Sequence, residues 1–289
     1  MPQAAGELDD VLERVAETIA RAPSLVFTAG AGMGVDSGLP DFRGTEGFWR
    51  AYPPLARLGL RFDELANPHR FVDNPALAWG FYGHRLRLYR GARPHRGFEI
   101  LRRWAELPQE GSFVFTSNVD GHFQRAGFSE ERVVECHGSI LHLQCTGPCC
   151  DDIWEAEELE IDVDKETFRA RGPLPSCPSC GAVARPNVLM FGDWLWVPHR
   201  TASQEERMRR WVEALTGRTV VIEVGAGTAV PTVRLTSEHL ARRTGGHLVR
   251  INPREPEAPA GATSLPMSAL EALEALDRLL RGSRVGDRA

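Results

Sequence analysis

The sequence predicts an α/β protein that combines a doubly wound parallel sheet of the Rossmann-like type with a smaller second lobe. Three observations predict this fold class. Short, mainly apolar segments alternate with helical patterns, a glycine-rich turn follows the first such segment, and two regions interrupt the alternation. The 289 residues are enough for one large domain and a small module. A composition of 42% hydrophobic and 25% charged residues excludes a largely disordered protein.

Hydrophobic periodicity predicts the elements of the main domain. Apolar residues recur at helical spacing from Leu8 to Ala20, which predicts an amphipathic first helix. Short apolar segments further along the chain are typical of strands that a parallel sheet buries on both faces. These strands are predicted at 24–28, Ser112–Thr116, Thr219–Val224 and 248–251, and the helices that follow them at 98–106, 205–215, 233–243 and 269–280.

Two regions without this alternation are interpreted as insertions that form the smaller lobe. Residues 45–91 are rich in aromatic side chains and arginine and have a helical character. Residues 140–185 contain five of the six cysteines and a strongly acidic middle. The predicted division is therefore a Rossmann-like domain of residues 1–44, 92–139 and 186–289, with a helical insertion at 45–91 and a cysteine-rich module at 140–185, whose metal-binding pattern is described below.

Charge and hydropathy exclude several classes of partner. A net charge of −5 gives no general attraction to nucleic acid or to anionic lipid. No apolar stretch approaches the ~18 residues that a membrane-spanning helix needs. The acidic N-terminus has no features of a signal peptide, so a cytoplasmic location is expected. In that reducing compartment, six cysteines indicate metal binding or catalysis rather than a disulfide framework. The oligomeric state is not predicted.

A glycine-rich turn, Gly30-Ala31-Gly32, comes directly after the first predicted strand. Small residues at this point let the backbone approach a pyrophosphate, although the same turn also serves any tight strand-to-helix connection. The next loop offers Asp41, Phe42 and Arg43 in succession. Arg43 is suited to a phosphate and Phe42 to a base or a ribose, so the pair of motifs predicts a dinucleotide site.

Polar residues follow two further segments of the predicted sheet. Ser117, Asn118 and Asp120 come after the strand Ser112–Thr116, at the edge where open α/β sheets bind ligands. The alternative is an Asx turn that leads into a helix. His137 follows a short apolar run and precedes Gly138, which places it at a strand end. A general base that works near neutral pH is the simplest use of such a histidine.

The cysteines have the spacing of a metal site. Cys145 is followed by Cys149 and Cys150, and a second pair, Cys177 and Cys180, is closed by a glycine. Paired cysteines of this kind surround a tetrahedral zinc ion. Either Cys149 or Cys150 serves as the second ligand by spacing alone. Four thiolates leave no position for a substrate, so this single zinc is expected to be structural.

Taken in order, these motifs resemble the sirtuins of bacterial type, the Sir2 family of NAD-dependent protein deacylases. The resemblance extends along nearly the whole chain and selects Cys149 over Cys150. It departs at Gly34, Ser117, Ala226 and Gly227, where the family has polar side chains. Residues 185–193 also match the family, and they include its substrate-strand residues Val188, Phe191 and Gly192. Gly225-Ala226-Gly227 and Asn252 match the segments with which the family holds the ribose and the adenine.

The resemblance implies that acyl groups are removed from protein lysines while NAD is consumed as a co-substrate. The products are nicotinamide and O-acyl-ADP-ribose. His137 is implied as the base, and Asn118 and Asp120 as the residues that hold the nicotinamide end. Acyl-lysine proteins are the implied partners, pairing by strand addition with residues 188–192 and 225–228.

The acyl group itself is predicted from a helical pair. Tyr82 and Arg85 match the pattern of sirtuins that accept succinyl- or malonyl-lysine, and a spacing of three places them on one helix face. An arginine fork suits a carboxylate, so acidic acyl groups are expected alongside acetyl. The alternative is that Tyr82 packs in a core and Arg85 is solvated.

Two other functions are weighed against deacylation. An NAD glycohydrolase or ADP-ribosyltransferase would keep the NAD site, and the altered Ser117, Ala226 and Gly227 favour it, whereas the intact segment 188–192 favours deacylation. A zinc ribbon that binds nucleic acid is disfavoured, because the acidic run 151–166 would repel phosphate.

Overall fold

The computed structural model describes residues 2–40, 52–57 and 59–286. The predicted cofactor residues Asp41, Phe42 and Arg43 lie outside the described residues. Strands β1 to β11 are numbered in chain order: Ser24–Ala29, Ser112–Thr116, Val133–Glu135, Gly138–Cys145, Ile153–Glu155, Asp162–Val163, Ala170–Arg171, Ala184–Val188, Thr219–Val224, His247–Ile251 and Thr263–Leu265.

The α-helices of the described residues are numbered in the same way. The predicted helices of the main domain are all present, with ends that differ by a few residues from the sequence pattern. Helices α1 to α10 are Pro2–Ala20, Pro53–Arg57, Phe62–Leu65, Arg70–Asp73, Pro75–Gly91, Arg96–Trp104, His122–Arg125, His199–Ala214, Thr232–Arg243 and Ala269–Gly286.

The main sheet is parallel throughout, and its strand order is β11-β10-β9-β1-β2-β3. Every residue of the central strands β1 and β9 is buried, as expected where helices cover both faces. Strand β1 pairs with β2 on one side and with β9 on the other. The chain thus winds in both directions from β1, which creates a crevice at the carboxyl ends of these strands. The predicted fold class is confirmed.

Alternation along β1 divides the core of the main domain into two layers. Leu25 and Phe27 pack in a cluster with residues of α1, α6 and α10. Val26 points to the opposite face and packs with residues of α8 and α9. This arrangement follows from the two-residue period of a strand, which sends successive side chains to opposite faces of the sheet.

The smaller lobe has its own sheet and its own hydrophobic cluster. Strands β5, β4 and β8 form an antiparallel sheet, and the helices α2 to α5 lie between β1 and β2 in the sequence. Helix α5 begins after Asn74, whose side chain accepts a hydrogen bond from the Leu77 amide, with Pro75 in the first turn. The strands of the small sheet lie between Gly138 and Val188. The division of the chain into domains, with boundaries after residues 139 and 185, stays a prediction. No helix within the described ranges is both long and apolar enough to cross a membrane.

Candidate active site and metal centre

The glycine-rich turn after β1 touches the loop after β9, backbone to backbone. The Gly30 amide donates to the Val224 carbonyl and the Gly32 amide to the Gly225 carbonyl, both at 3.0 Å. A Cβ atom on Gly32 would lie 2.6 Å from the Gly225 Cα, and Gly225 has a φ of +65°. Only glycine fits at these two positions. The close approach leaves the turn's backbone free of side-chain bulk where a pyrophosphate would lie.

A small cavity of about 50 Å³ lies beside this contact, within a cleft that opens to the solvent. It lies at the carboxyl ends of the central strands, where a doubly wound sheet binds its nucleotide. Both the cavity and the glycine contact therefore fit the predicted dinucleotide. The cavity is lined by Gly32, Val35, Asp36, Gly225, Ile251, Pro253, Arg254, Ser268 and Ala269.

Residues of the loop after β2 reach the same crevice. The Asn118 side-chain amide donates to the Gly30 carbonyl at 3.1 Å. Asp120 is buried, and its carboxylate accepts a hydrogen bond from the His122 amide at the start of α7. The Asx turn considered as an alternative is thus present, and it orients Asp120 rather than excluding a role for it. A Cβ atom on Gly34 would lie 3.8 Å from the Asp120 carboxylate, so this group faces the glycine-rich turn.

His137 stands just beyond the end of β3, where the chain turns sharply into the small lobe. The Cys136 amide still donates to the Thr116 carbonyl, which extends the parallel ladder up to the histidine. Gly138 then takes a φ of +75°, and a Cβ atom there would lie 2.1 Å from the Asn187 carbonyl oxygen. Burial lowers the pKa of His137 below its ordinary value of 6.5. The imidazole is therefore neutral at pH 7 and able to accept a proton.

The segment before His137 is anchored from helix α8. The carboxylate of Glu135 is buried and accepts a hydrogen bond from Arg200 Nη2 at 2.6 Å. The Thr201 hydroxyl donates to the Glu135 carbonyl at 3.0 Å. Burial raises the pKa of Glu135, an effect that Arg200 opposes. This anchor fixes the strand end from which His137 projects.

The predicted substrate segment adjoins His137 directly. The Leu189 amide donates to the His137 carbonyl at 3.0 Å, and the Phe191 amide donates to the Ala66 carbonyl in the small lobe at 2.9 Å. Val188 and Met190 are buried, whereas Leu189 and Phe191 are exposed. This alternation is that of an extended chain with one face toward the solvent.

Tyr82 and Arg85 lie on one face of α5, as predicted, and both are buried. The Arg85 guanidinium donates to the Tyr89 hydroxyl, with Nη2 at 2.7 Å. The prediction's alternative of a solvated Arg85 is wrong. The Tyr82 hydroxyl has no hydrogen-bond partner among the described residues. The Arg85 carbon Cζ lies close to several aromatic rings of the described residues, at 5.2 Å from the ring centroid of Tyr89, 5.3 Å from Phe81, 5.6 Å from Tyr82 and 5.8 Å from Phe62.

On the opposite side of the crevice, two side chains clamp the loop after β9. Asn252 Nδ2 donates to the Ala226 carbonyl at 2.8 Å, and Arg234 Nε donates to the same oxygen at 3.1 Å. Arg234 was not predicted from the sequence, because it is one of many arginines with no motif around it. Its burial on α9 is the feature that distinguishes it. The clamp holds the segment Gly225-Ala226-Gly227 in place against the glycine-rich turn.

Four cysteine sulfurs come together in the small lobe. The Sγ atoms of Cys145, Cys149, Cys177 and Cys180 all lie within 4.8 Å of one another. The Cys145–Cys180 and Cys149–Cys177 distances are 3.7 and 3.6 Å. Four thiolates at 2.3 Å from a tetrahedral zinc ion are separated by about 3.8 Å, so the cluster fits zinc. Cys150 lies beside this group, with its sulfur 3.7 Å from that of Cys149 and 3.7 Å from the Ser179 hydroxyl.

Comparison with known proteins gives the same assignment as the ordered motifs. The sequence matches the profile of the Sir2 family over residues 30–230. The chain belongs to the Sir2 family. It is 31% identical over 272 residues to NAD-dependent protein deacylase 1 of Archaeoglobus fulgidus, covering 93% of this chain and 98% of that protein. It is 33% identical over 270 residues to the NAD-dependent protein deacylase of Aeropyrum pernix, covering 92% and 96%.

Solved structures of the Sir2 family have the same fold. A Sir2 homologue in complex with NAD has a TM-score of 0.71 at 31% identity, with 94% of both chains covered. A mutant of a Sir2 homologue in complex with ADP-ribose has a TM-score of 0.72 at 30% identity, with 94% of this chain and 97% of the other covered. The resemblance to the Sir2 family that the sequence indicated is confirmed. The four cysteines are consistent with a structural zinc ion, and the crevice is consistent with NAD as the cofactor.

Proposed function

We propose that this protein is an NAD-dependent protein-lysine deacylase. The observation that carries the proposal is that Asn118, Asp120 and His137 all follow the carboxyl ends of the paired parallel strands β2 and β3, at one edge of the sheet. Asn118 is bonded to the glycine-rich turn, and the His137 carbonyl is bonded to the predicted substrate segment. A nucleotide crevice and a strand-binding edge thus share one histidine. The relatives named NAD-dependent protein deacylases support the same function.

The crevice is suited to hold NAD in a defined orientation. Bound NAD supplies an electrophilic ribose carbon from which nicotinamide departs. The glycine-rich turn lets the pyrophosphate approach the backbone without side-chain bulk, and the crevice beside Gly225 takes the adenosine. Asn118 and Asp120 hold the nicotinamide end, because both project from the loop after β2 toward the glycine-rich turn. On the sequence alone, we include Asp41, Phe42 and Arg43 in this proposed NAD site.

His137 acts as the general base on a ribose hydroxyl. Its lowered pKa keeps the ring neutral at physiological pH, which is the state that accepts a proton. The ring position is defined by the β3 end before it and by Gly138 after it. The products are the free lysine, nicotinamide and O-acyl-ADP-ribose.

Acyl-lysine proteins bind by strand addition to residues 188–192. Val188 and Met190 belong to the hydrophobic cluster of the small lobe, so their side chains point inward. Phe191 and Gly192 are exposed, so a substrate strand can reach the segment there. The acylated side chain then enters the space between the lobes, next to His137.

Tyr82 and Arg85 extend the substrate range to acidic acyl groups. Tyr82 shares one hydrophobic cluster with Val188 and with Val119 of the loop that carries Asn118, and the Arg85 guanidinium lies against the Tyr82 ring. Burial raises the pKa of Tyr82 to about 12, so its hydroxyl stays protonated and available as a donor. A hydroxyl donor beside a guanidinium is the pair that a succinyl or malonyl carboxylate requires.

The predicted cytoplasmic location and the absence of a nucleic-acid partner stay predictions. The location depends on the acidic N-terminus without signal-peptide features, and the exclusion of nucleic acid depends on the net charge of −5. The acidic residues of the zinc module are exposed at Asp151, Asp152, Glu157 and Glu158, which is unfavourable for phosphate contacts.

A product analysis tests the proposal. The purified protein is incubated with NAD and acetyl-lysine, succinyl-lysine or unmodified peptide, and the products are identified by mass spectrometry. We expect deacylated peptide together with O-acyl-ADP-ribose. Free ADP-ribose formed without peptide would instead identify an NAD glycohydrolase, and a peptide heavier by ADP-ribose would identify an ADP-ribosyltransferase. The His137→Ala variant serves as the control for contaminating activity.

A further inference from the structure

The turn that follows the substrate segment displays a tryptophan in the solvent. The side chain of Trp194 is 95% exposed. Three neighbouring apolar side chains on the same run are also exposed: Leu189 at 36%, Phe191 at 43% and Leu195 at 47%. An indole in water contributes nothing to the folded core, whereas aromatic side chains dominate binding surfaces. Exposed apolar side chains grouped in one short run beside a binding edge are typical of an interaction site.

A buried ion pair holds the first half of this turn. Arg185 Nη1 donates to Asp193 Oδ2 at 2.7 Å and Nη2 to Oδ1 at 2.9 Å, and neither side chain is exposed to solvent. The same carboxylate accepts hydrogen bonds from the amides of Met190 and Leu195, at 3.3 and 3.2 Å. Because Asp193 is fixed inside the protein, its neighbour Trp194 is directed outward.

Two buried amides hold the second half of the turn. Gln144 Nε2 donates to the Leu195 carbonyl at 2.8 Å, and the Val197 amide donates to Gln144 Oε1 at 3.0 Å. Asn187 Nδ2 donates to the Val197 carbonyl at 2.9 Å. With both sides of the turn fixed by these hydrogen bonds, the backbone that carries Trp194 is already ordered before a ligand binds.

The charge of the run 188–197 indicates which ligand chemistry it fits. Asp193 is its only ionisable residue, and that carboxylate is buried and neutralised by Arg185. The run therefore offers apolar and aromatic contacts with no exposed charge of its own. A large apolar side chain is the complementary group.

We propose that Trp194, together with Leu195, forms a subsite for a large apolar side chain that flanks the acyl-lysine. This inference rests on the proposed function, in which a substrate strand pairs with residues 188–192. Side chains of a bound strand alternate, so the neighbours of the acyl-lysine point away from the space between the lobes. The preferred substrates are then lysines beside aromatic or long aliphatic residues.

Kinetics with matched peptides test the subsite. Acetyl-lysine peptides carry Leu, Trp, Arg or Gly at each of the two positions on either side of the lysine. For the wild type we expect kcat/KM to be about tenfold higher with Leu or Trp than with Gly at one of these positions. Trp194→Ala should reduce that preference to about twofold or less and leave the Gly peptide unchanged. Val72→Ala, which shortens an exposed apolar side chain elsewhere, should keep the preference.

Equal losses on all peptides would mean that Trp194 only supports the turn, and an unchanged preference would mean that it does not touch the substrate. A preference for Arg would replace the apolar subsite with cation recognition. Direct binding of fluorescently labelled peptides, measured by anisotropy, separates the two proposals. If the apolar peptide binds in a Trp194-dependent manner but is not turned over, the proposed deacylase activity is overturned and the subsite is retained. If the Leu and Gly peptides bind equally well, the subsite is overturned.

Discussion

The Asn118 side chain donates a hydrogen bond to the Gly30 carbonyl, 3.1 Å away and 88 positions earlier in the sequence. This bond joins the loops after β1 and β2 at the edge of the parallel sheet. One amide thereby connects the turn suited to a pyrophosphate with the segment that carries Asp120. Changes at Asn118 are expected to affect both cofactor binding and the reaction step.

Asn118→Ala removes this connection, and we expect kcat to fall roughly 10²-fold with a rise in the KM for NAD. The reason is that misplacing a reacting group by about an ångström is enough for a loss of this size. Steady-state kinetics with NAD as the varied substrate measure both parameters. Gln109→Ala, at an exposed amide side chain, is the control. A rise in the peptide KM alone would contradict the assignment.

His137→Ala removes the proposed base, and turnover should fall by ~10²–10⁴-fold. The fold and NAD binding should be retained, because the neighbouring backbone bonds do not involve the ring. Circular dichroism and calorimetric titration with NAD check these two points. His239→Ala, at an exposed histidine on α9, should stay fully active. Turnover of the His137 variant within a factor of about three of the wild type would rule the base out.

The pH dependence of kcat/KM should follow the protonation of His137. Burial lowers its pKa below 6.5, so the neutral, active form predominates above that value. Activity is therefore expected to be full at pH 7 and to be lost as the pH falls through the lowered pKa. A profile of log kcat/KM measured from acid to neutral pH locates the pH at which activity is lost. A midpoint at or above pH 7 would argue against a buried neutral histidine as the base.

Metal analysis of two single variants checks the zinc ligands. The Cys149 sulfur belongs to the four-cysteine cluster and the Cys150 sulfur does not. Cys149→Ser should therefore lose the single zinc ion, and Cys150→Ser should retain it. Loss of zinc should lower the unfolding temperature, because metal binding and folding free energy are linked. The opposite pattern of zinc content would identify Cys150 as the ligand.

Arg85→Met should strongly reduce desuccinylation and keep deacetylation. A hydrogen bond to a charged group contributes ~1.5–3 kcal/mol, which predicts a loss of about tenfold or more on succinyl-lysine. Tyr82→Phe removes only the hydroxyl and should cause a smaller loss in the same direction. Paired assays with acetyl- and succinyl-lysine peptides give the ratio for each variant. Similar losses on both acyl groups would make Arg85 a structural residue of the small lobe.

Several features were predictable because they are encoded locally. The central strands are apolar along their length, and the helices beside them repeat at helical spacing, so periodicity located both. The edge strand Thr263–Leu265 was not predicted, since three residues carry too little periodicity to be distinguished from a loop. The cysteine pairs were visible as a metal site, but spacing alone left the choice between Cys149 and Cys150 open.

By itself, the sequence determined the fold class, the glycine-rich turn and the chemical types of residue at the strand ends. Only the tertiary structure decided which of those residues touch one another. The bond from Asn118 to Gly30, the Arg234 contact with the Ala226 carbonyl and the outward direction of Trp194 are all of this kind. The first of these depends on loops far apart in the chain that the sheet brings to one edge, and the other two depend on how a helix and a turn pack beside their neighbours. Local periodicity fixes which way a side chain faces within its own element, whereas contacts between loops depend on how the elements pair and pack.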